Sequence, residues 1–355
     1  MQLVRMLKLS RPAWALALAG TLAVSAWGDS CLTQSQMTAA QREQVANAAR
    51  MLVSDAQNGD LRGLRDDTLP SVAANFSGIA NSAQTLRPLI AQAAITVDAV
   101  FSFDAAQPAA GAQSAQASQF FCTPSGSTFT VVLNFSALPP GKYALAIVHA
   151  TGVPKPQQVS LILAQTPMEQ WKLAGFFSKP LMLAGQNGVW YWSRAREFAQ
   201  KKQEWAAYFY YQIASFLVEP ADFLSSPNVE KLRREAGQVH PENLPGDQPV
   251  NVYVNGLPYA IAHADTSADL GPLDFVIRYN ANPEEAAQLR DPVSARKQVV
   301  DLMSGLLTMH PGLREAFHGM WVYADSNGAT LFALELPMNQ IPGSAGPGSF
   351  QAGGR

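Results

Sequence analysis

The spacing of hydrophobic residues changes along the chain, from a helical period before residue 58 to strict alternation after residue 94. Thr38 and Gln41 have capping-box spacing, and apolar residues then recur at helical intervals, which predicts a helix over about 39–57. From Ile95 to Phe103 apolar and polar residues alternate, and STFTVVLNF, KYALAIVHA, QQVSLILAQ and WKLAGFFSKP repeat that pattern. Helices followed by a sheet of about five strands predict an α+β fold.

A segment of small residues interrupts this series of strands. AAQPAAGAQSAQAS lies between the first two strands and shows neither helical nor strand periodicity. Such a composition is typical of a mobile loop.

The order of these elements resembles a known fold family. Helices that precede a curved antiparallel sheet, with a last strand reading WKLAGF, resemble cystatin-like cone domains, in particular the nuclear transport factor-like group of exported bacterial proteins. The resemblance covers about residues 36–183 and implies a cone for residues 29–184. It implies no particular activity, because such cones host enzymes, binders and scaffolds alike.

Residues 188–212, GVWYWSRAREFAQKKQEWAAYFYYQ, are exceptionally rich in aromatic side chains. Two amphipathic helices joined by KKQEW resemble a single tetratricopeptide-like hairpin, and a third helix capped by Ser225 or Ser226 extends this unit over 185–238. One hairpin leaves its apolar stripe uncovered, so we expect it to dock on a neighbouring domain. Trp190, Tyr191 and Tyr210 fall off the shared apolar face and are the predicted binding residues.

The remainder of the chain predicts a second, smaller domain. Residues 239–249 are rich in Pro and Gly and indicate a linker. Residues 250–341 predict a small α+β domain with hairpin turns at Asn255–Gly256 and Asn327–Gly328 and one long helix between them. From residue 342 to 355 the chain is a Gly, Ser and Pro segment that predicts a disordered tail.

Residues 1–28 have the layout of a cleaved signal peptide. Arg5, Lys8 and Arg11 precede AWALALAGTLAVSA, and small residues follow at a candidate cleavage site. The apolar run is shorter than the roughly 20 residues that a membrane helix needs, so we expect no transmembrane segment after cleavage. The mature protein is then periplasmic or secreted, and a retained anchor is the alternative.

The chain has two cysteines, Cys31 and Cys122. Export to an oxidising compartment favours a disulfide between them, which would stabilise the fold by roughly 4 to 5 kcal/mol in the chain-entropy model. A lipidated Cys31 is the alternative, although Gly28 stands where lipoprotein signals usually have an aliphatic residue. Two isolated cysteines do not supply the four ligands of a structural zinc site.

Charge argues against nucleic acid as a partner. The formal net charge is -2, and the basic residues are scattered rather than clustered in a phosphate-binding patch. An unknown protein or a small ligand is the expected partner.

The common catalytic signatures are absent from the sequence: it has no Gly-x-Ser-x-Gly, no phosphate-binding Gly-rich loop and no His-Glu-x-x-His. Glu315 and His318 form one Glu-x-x-His pair, whereas carboxylate-bridged metal centres use two. The sequence therefore predicts no cofactor and no metal site. It favours a binding or scaffolding protein of the cell envelope over an enzyme.

Two alternatives remain open. A small-molecule enzyme would use the cone interior around His149, which alternation places on the side of Leu145 and Ile147, with Asp98 as the acidic partner of a general base. A surface for carbohydrate is the other alternative, because flat Trp and Tyr rings suit sugar faces.

Overall fold

The computed structural model describes residues 30–105, 116–241, 243–343 and 349–351. The predicted signal peptide, residues 1–28, lies outside these ranges, as does most of the predicted mobile loop. Within the described residues, every helix is too short or too polar to cross a membrane.

Helices and mostly antiparallel strands share the N-terminal part of the chain. Its elements are β1 (Ser30–Thr33), α1 (Ala39–Asn58), α2 (Leu61–Asp66), α3 (Pro70–Ala73), α4 (Ser77–Ile90), β2 (Ala94–Ala105), β3 (Gln116–Cys122), β4 (Val131–Leu138), β5 (Gly141–Thr151), β6 (Gln157–Gln165) and β7 (Trp171–Pro180). The predicted capping box of α1 is confirmed: Thr38 Oγ1 accepts from the Gln41 N–H, and the Gln41 side chain accepts from the Thr38 N–H.

A helical segment and a second sheet follow. The elements are β8 (Met182–Leu183), β9 (Gln186–Asn187), α5 (Gly188–Gln200), α6 (Glu204–Val218), β10 (Leu224–Ser225), α7 (Pro227–Ala236), β11 (Val250–Val254), β12 (Leu257–Ser267), β13 (Asp274–Asn280), α8 (Pro283–Gln288), α9 (Pro292–Met309), α10 (Gly312–Ala316), β14 (Gly319–Ser326), β15 (Ala329–Pro337) and β16 (Ser349–Gln351). Mixed helices and mainly antiparallel sheets agree with the predicted α+β class, whereas the cystatin-like cone stays a prediction.

The N-terminal sheet has the order β1-β2-β5-β6-β7 and is covered on both faces. Alternate residues of β5 point to opposite sides, so Ala144, Ala146 and Val148 pack against α1 and α4. Leu145 and Ile147 pack on the other side, against the layer formed by β3, β4 and β10.

The structure corrects the predicted composition of this sheet. STFTVVLNF was expected to be one of its strands, but β4, which occupies the end of that segment, pairs with β3 and β10 in a separate three-stranded sheet. Strand periodicity indicates which residues share one face of a strand, but it does not identify the neighbouring strand. The fifth strand of the main sheet is instead β1, and β3 begins inside the predicted loop, at Gln116.

The predicted disulfide is present. Cys31 on β1 and Cys122 on β3 are bonded, with Cα atoms 5.0 Å apart. Because β1 belongs to the main sheet and β3 to the small one, the bond fastens the small sheet over the main sheet.

The helical hairpin docks on the C-terminal sheet, as predicted. Trp205 and Phe209 of α6 are buried, and their ring centroids lie 6.0 and 5.1 Å from that of Phe275 on β13. One continuous core therefore contains α5, α6, α9 and the inner face of the sheet.

The C-terminal sheet has the order β15-β14-β13-β12-β11-β16, and β13 and β14 are parallel while the other pairs are antiparallel. Both predicted turns are confirmed, since Asn255, Gly256, Asn327 and Gly328 all have positive φ. The α8–α10 segment supplies the crossover that a parallel pair requires.

Residues 344–348 and 352–355 of the predicted disordered tail lie outside the described residues. Residues 349–351 form β16, a strand that was not expected and that pairs with β11. A strand at the edge of a sheet offers unpaired backbone groups, so a short segment can join it through main-chain hydrogen bonds.

Candidate functional site

A cleft of about 880 Å³ lies between α6 and the outer face of the C-terminal sheet. We call it the open-face cleft. Its sheet side is lined from β12, β13 and β14 by His263, Asp265, Val276, Arg278, Trp321 and Tyr323. Its helical side is lined by Gln212, Ile213 and Phe216 of α6, together with Leu183 of β8.

Alternation along β13 and β14 creates this face. The residues that point inward are fully buried: Phe275, Ile277, Tyr279, Met320, Val322 and Ala324. The residues between them, which include Arg278, Trp321 and Tyr323, are only partly buried. The α9 helix and the first half of α6, through Trp205 and Phe209, cover the inward face. The second half of α6, through Gln212 and Phe216, borders the outer face.

Two aromatic rings stand side by side on β14. The ring planes of Trp321 and Tyr323 are 15° from parallel, with centroids 5.8 Å apart. They are two residues apart on one strand, so the sheet itself holds their spacing. Together the two rings form a rigid apolar surface, and binding of a ligand to it costs little side-chain conformational entropy.

Arg278 fixes one side of this aromatic pair. It is the cross-strand partner of Tyr323, and its guanidinium carbon lies 4.1 Å from the Tyr323 ring centroid. Its Nη1 donates to Asp325 Oδ2 at 3.1 Å. The guanidinium is therefore held in one orientation, with a cation–π contact on one side and an ion pair on the other.

The sheet side of the cleft also carries polar groups. His263 and Asp265 extend from β12, with His263 Nε2 3.5 Å from Asp265 Oδ2 and with side-chain exposures of 59% and 62%. On the opposite wall Gln212 offers an amide, and Phe216 is 51% exposed. The cleft thus combines exposed rings with hydrogen-bond donors and acceptors.

The structure places two of the three predicted binding residues in the interior. Tyr191 is 1% exposed and donates to the Leu183 carbonyl, and Tyr210 is 4% exposed and donates to the Ala316 carbonyl. Burial raises the pKa of Tyr210 to about 12 and raises the pKa of Tyr191 as well. Their expected exposure was wrong because the β8–β9 turn and the segment after α10 cover this side of the hairpin. Trp190 is 37% exposed.

The predicted enzyme pair is close in space but differs from the expected environment. Asp98 is a bulge residue on β2, and its Oδ1 lies 3.8 Å from His149 Nδ1. The Asp98 side chain is 57% exposed, so this carboxylate is not buried beside the ring. The face that carries Leu145 and Ile147 is covered by the small sheet. Catalysis at His149 stays a prediction.

The predicted Glu-x-x-His spacing does not hold its two side chains together. Glu315 accepts from Lys201 Nζ at 2.8 Å and from Arg194 Nη2 at 3.2 Å. His318 lies beyond the end of α10 and points to Asp274. Asp274, His318 and Glu335 instead form a group of potential metal ligands at one end of the open face.

Sequence reasoning did not find the open-face cleft. The alternation in GMWVYADS was visible, but it does not distinguish the covered face of a strand from the open one. The chain matches no family model, no curated protein and no solved structure.

Proposed function

We propose that this chain acts by binding and that the open-face cleft receives its ligand. The observation that carries the proposal is the position of Trp321 and Tyr323 on the outer face of the sheet, beside an ordered Arg278. Most aromatic side chains of the hairpin are buried in the core, whereas Trp321 and Tyr323 lie on the opposite face of the sheet and do not belong to that core.

The cleft suits a short saccharide better than a purely apolar ligand. A sugar ring has an apolar face that stacks on aromatic rings, and its hydroxyl edge needs both donors and acceptors. Arg278 and Gln212 supply donors, and Asp265 supplies an acceptor. The volume of about 880 Å³ lies within the roughly 300–1,000 Å³ of small-molecule sites.

We also propose that the protein is exported. The Cys31–Cys122 disulfide supports an oxidising compartment, and the predicted leader supplies the route. Intact-mass analysis of the mature protein tests this: cleavage near residue 28 is expected. A mature protein that retains the leader would contradict a cleaved signal peptide, and a lipid adduct on Cys31 would favour the lipoprotein alternative.

The binding test compares two tryptophans of the same chain. A panel of neutral and acidic oligosaccharides, with peptides and nucleotides as other classes, is screened against the full chain by thermal shift, and affinities are measured by calorimetry. Trp321→Ala is expected to weaken saccharide binding by about tenfold or more, since a stacked aromatic ring is a typical hot spot. Tyr323→Ala should act in the same direction.

Trp190→Ala is the matched control, because Trp190 is an exposed tryptophan outside the cleft. It should leave the affinity unchanged. Loss of binding in Trp190→Ala but not in Trp321→Ala would move the site to the hairpin. Hits confined to peptides or nucleotides would overturn the saccharide assignment, even if Trp321 were required.

A further inference from the structure

Three side chains that ligate metal ions in proteins meet at one end of the open face. Asp274 begins β13, His318 immediately precedes β14, and Glu335 lies on β15. One donor atom from each side chain lies within 4.8 Å of the other two. Because β13, β14 and β15 are neighbours in the sheet, backbone pairing holds the three positions together.

Gly319 provides the space that the two carboxylates share. It is the register partner of Asp274 on one side and of Pro337 on the other. A Cβ atom at Gly319 would lie 2.7 Å from Glu335 Oε1 and 2.9 Å from Asp274 Oδ1. Any other residue would push these oxygens away, so the missing side chain is what allows both carboxylates to reach the same point above the strand.

The carboxylates of Asp274 and Glu335 have no lysine or arginine partner among the described residues. Asp274 has a side chain only 5% exposed, and its side-chain partner is the His318 ring, with Nδ1 3.4 Å from Oδ1. Across the described parts of the chain, no lysine or arginine nitrogen comes within 4.0 Å of the Asp274 or Glu335 carboxylate. A buried carboxylate close to a second one is costly unless positive charge lies between them.

The distances agree with metal coordination. Two ligands on a tetrahedral ion with bonds of about 2.0–2.1 Å lie roughly 3.3–3.4 Å apart, and the Asp274–His318 distance is 3.4 Å. Glu335 is partly exposed, and a rotation of its side chain would bring a carboxylate oxygen to the same ion. One imidazole and two carboxylates form a donor set suited to Zn²⁺ and its first-row neighbours.

The geometry points to a binding site for one divalent first-row transition metal ion, ligated by Asp274 Oδ1, His318 Nδ1 and a Glu335 carboxylate oxygen. Three protein ligands leave further coordination positions for water or a bound molecule. The His318 side chain is 56% exposed, so the ion can enter from solvent. Glu335 is the cross-strand partner of Trp321, which places the ion at the border of the open-face cleft.

The test uses the full chain, stripped with a chelator and then titrated with Zn²⁺ by calorimetry, with Co²⁺ absorption as a second readout of the ligand geometry. One ion per chain is expected. His318→Gln and Glu335→Gln should each lower the Zn²⁺ affinity by about tenfold or more. Both side chains are at least partly exposed, so the stripped variants should remain folded, which circular dichroism checks before the titration.

His240 supplies the control. It is an exposed histidine in the segment after α7, and it is not among the three grouped ligands. The variant His240→Gln should bind Zn²⁺ like the parent chain. The assignment is overturned if the parent chain binds no ion, if binding survives His318→Gln at full strength, or if the control variant loses it equally.

Discussion

His310 should make the docking of the hairpin sensitive to acid. It follows α9, and its ring stacks on Trp205 of α6 with centroids 4.5 Å apart. Burial lowers the pKa of His310 from 6.5 to about 4. The unfolded chain therefore binds a proton at His310 near pH 6.5, whereas the folded chain binds it only near pH 4. The folded state loses stability as the pH falls through this window, because the proton favours the unfolded state.

The size of the effect follows from the same pKa. A drop from 6.5 to about 4 corresponds to about 3 kcal/mol at 1.36 kcal/mol per pKa unit. The ring is not fully buried, so solvent screening reduces the expected loss to about 2 to 3 kcal/mol. Above pH 6.5 both states hold His310 neutral, and its contribution no longer changes.

The assay measures urea unfolding of the parent chain and of His310→Phe, which keeps an aromatic ring against Trp205, at pH values from about 7.5 to about 4.5. As the pH falls, the free energy of unfolding of the parent chain should decrease relative to that of His310→Phe, because only the parent chain has the His310 ring to protonate. Charged neighbours in the same hollow, such as Lys201 and Glu204, are common to both proteins and cancel in the difference. His263→Gln, at an exposed site, should follow the parent curve. Parallel curves for the parent and His310→Phe would refute the reasoning.

Three further outcomes are expected from unfolding measurements. Replacing Cys31 and Cys122 by serine should lower the free energy of unfolding by up to about 4 to 5 kcal/mol, because their separation is 91 residues; an unchanged midpoint would show that the bond is not formed. Gly305→Ala should destabilise by about 1 to 3 kcal/mol, since its Cβ would lie 2.4 Å from a valine methyl of β11, whereas Gly78→Ala, with open space around it, should be neutral or stabilising. Glu235→Gln should cost about 1 kcal/mol by weakening the two hydrogen bonds from an arginine of α5 to α7, and an unchanged urea midpoint would contradict this.

Local signals in the sequence located most helices and turns correctly. The capping box at Thr38 and the Asn-Gly turns depend on residues close together in the chain, and their geometry is nearly independent of the rest of the fold. The partner of each strand was harder to predict from the sequence. β4 has the same alternation whether it joins the main sheet or the small one, and that alternation does not identify β3 and β10 as its partners.

The candidate sites depend on such distant pairing even more strongly. Asp274 and His318 are 44 residues apart, and the parallel pairing of β13 with β14 brings them to the same end of the sheet. The helices α8, α9 and α10 lie between them in the chain. The Glu-x-x-His spacing drew attention to His318 with the wrong partner, because Glu315 is neutralised by Lys201 and Arg194 across the hairpin interface. Docking of the hairpin therefore has two effects. It pairs Glu315 with Lys201 and Arg194 and buries Tyr191 and Tyr210, and it places α6 as the second wall of the open-face cleft. A substitution that loosened the hairpin should consequently weaken ligand binding at Trp321 without touching that residue.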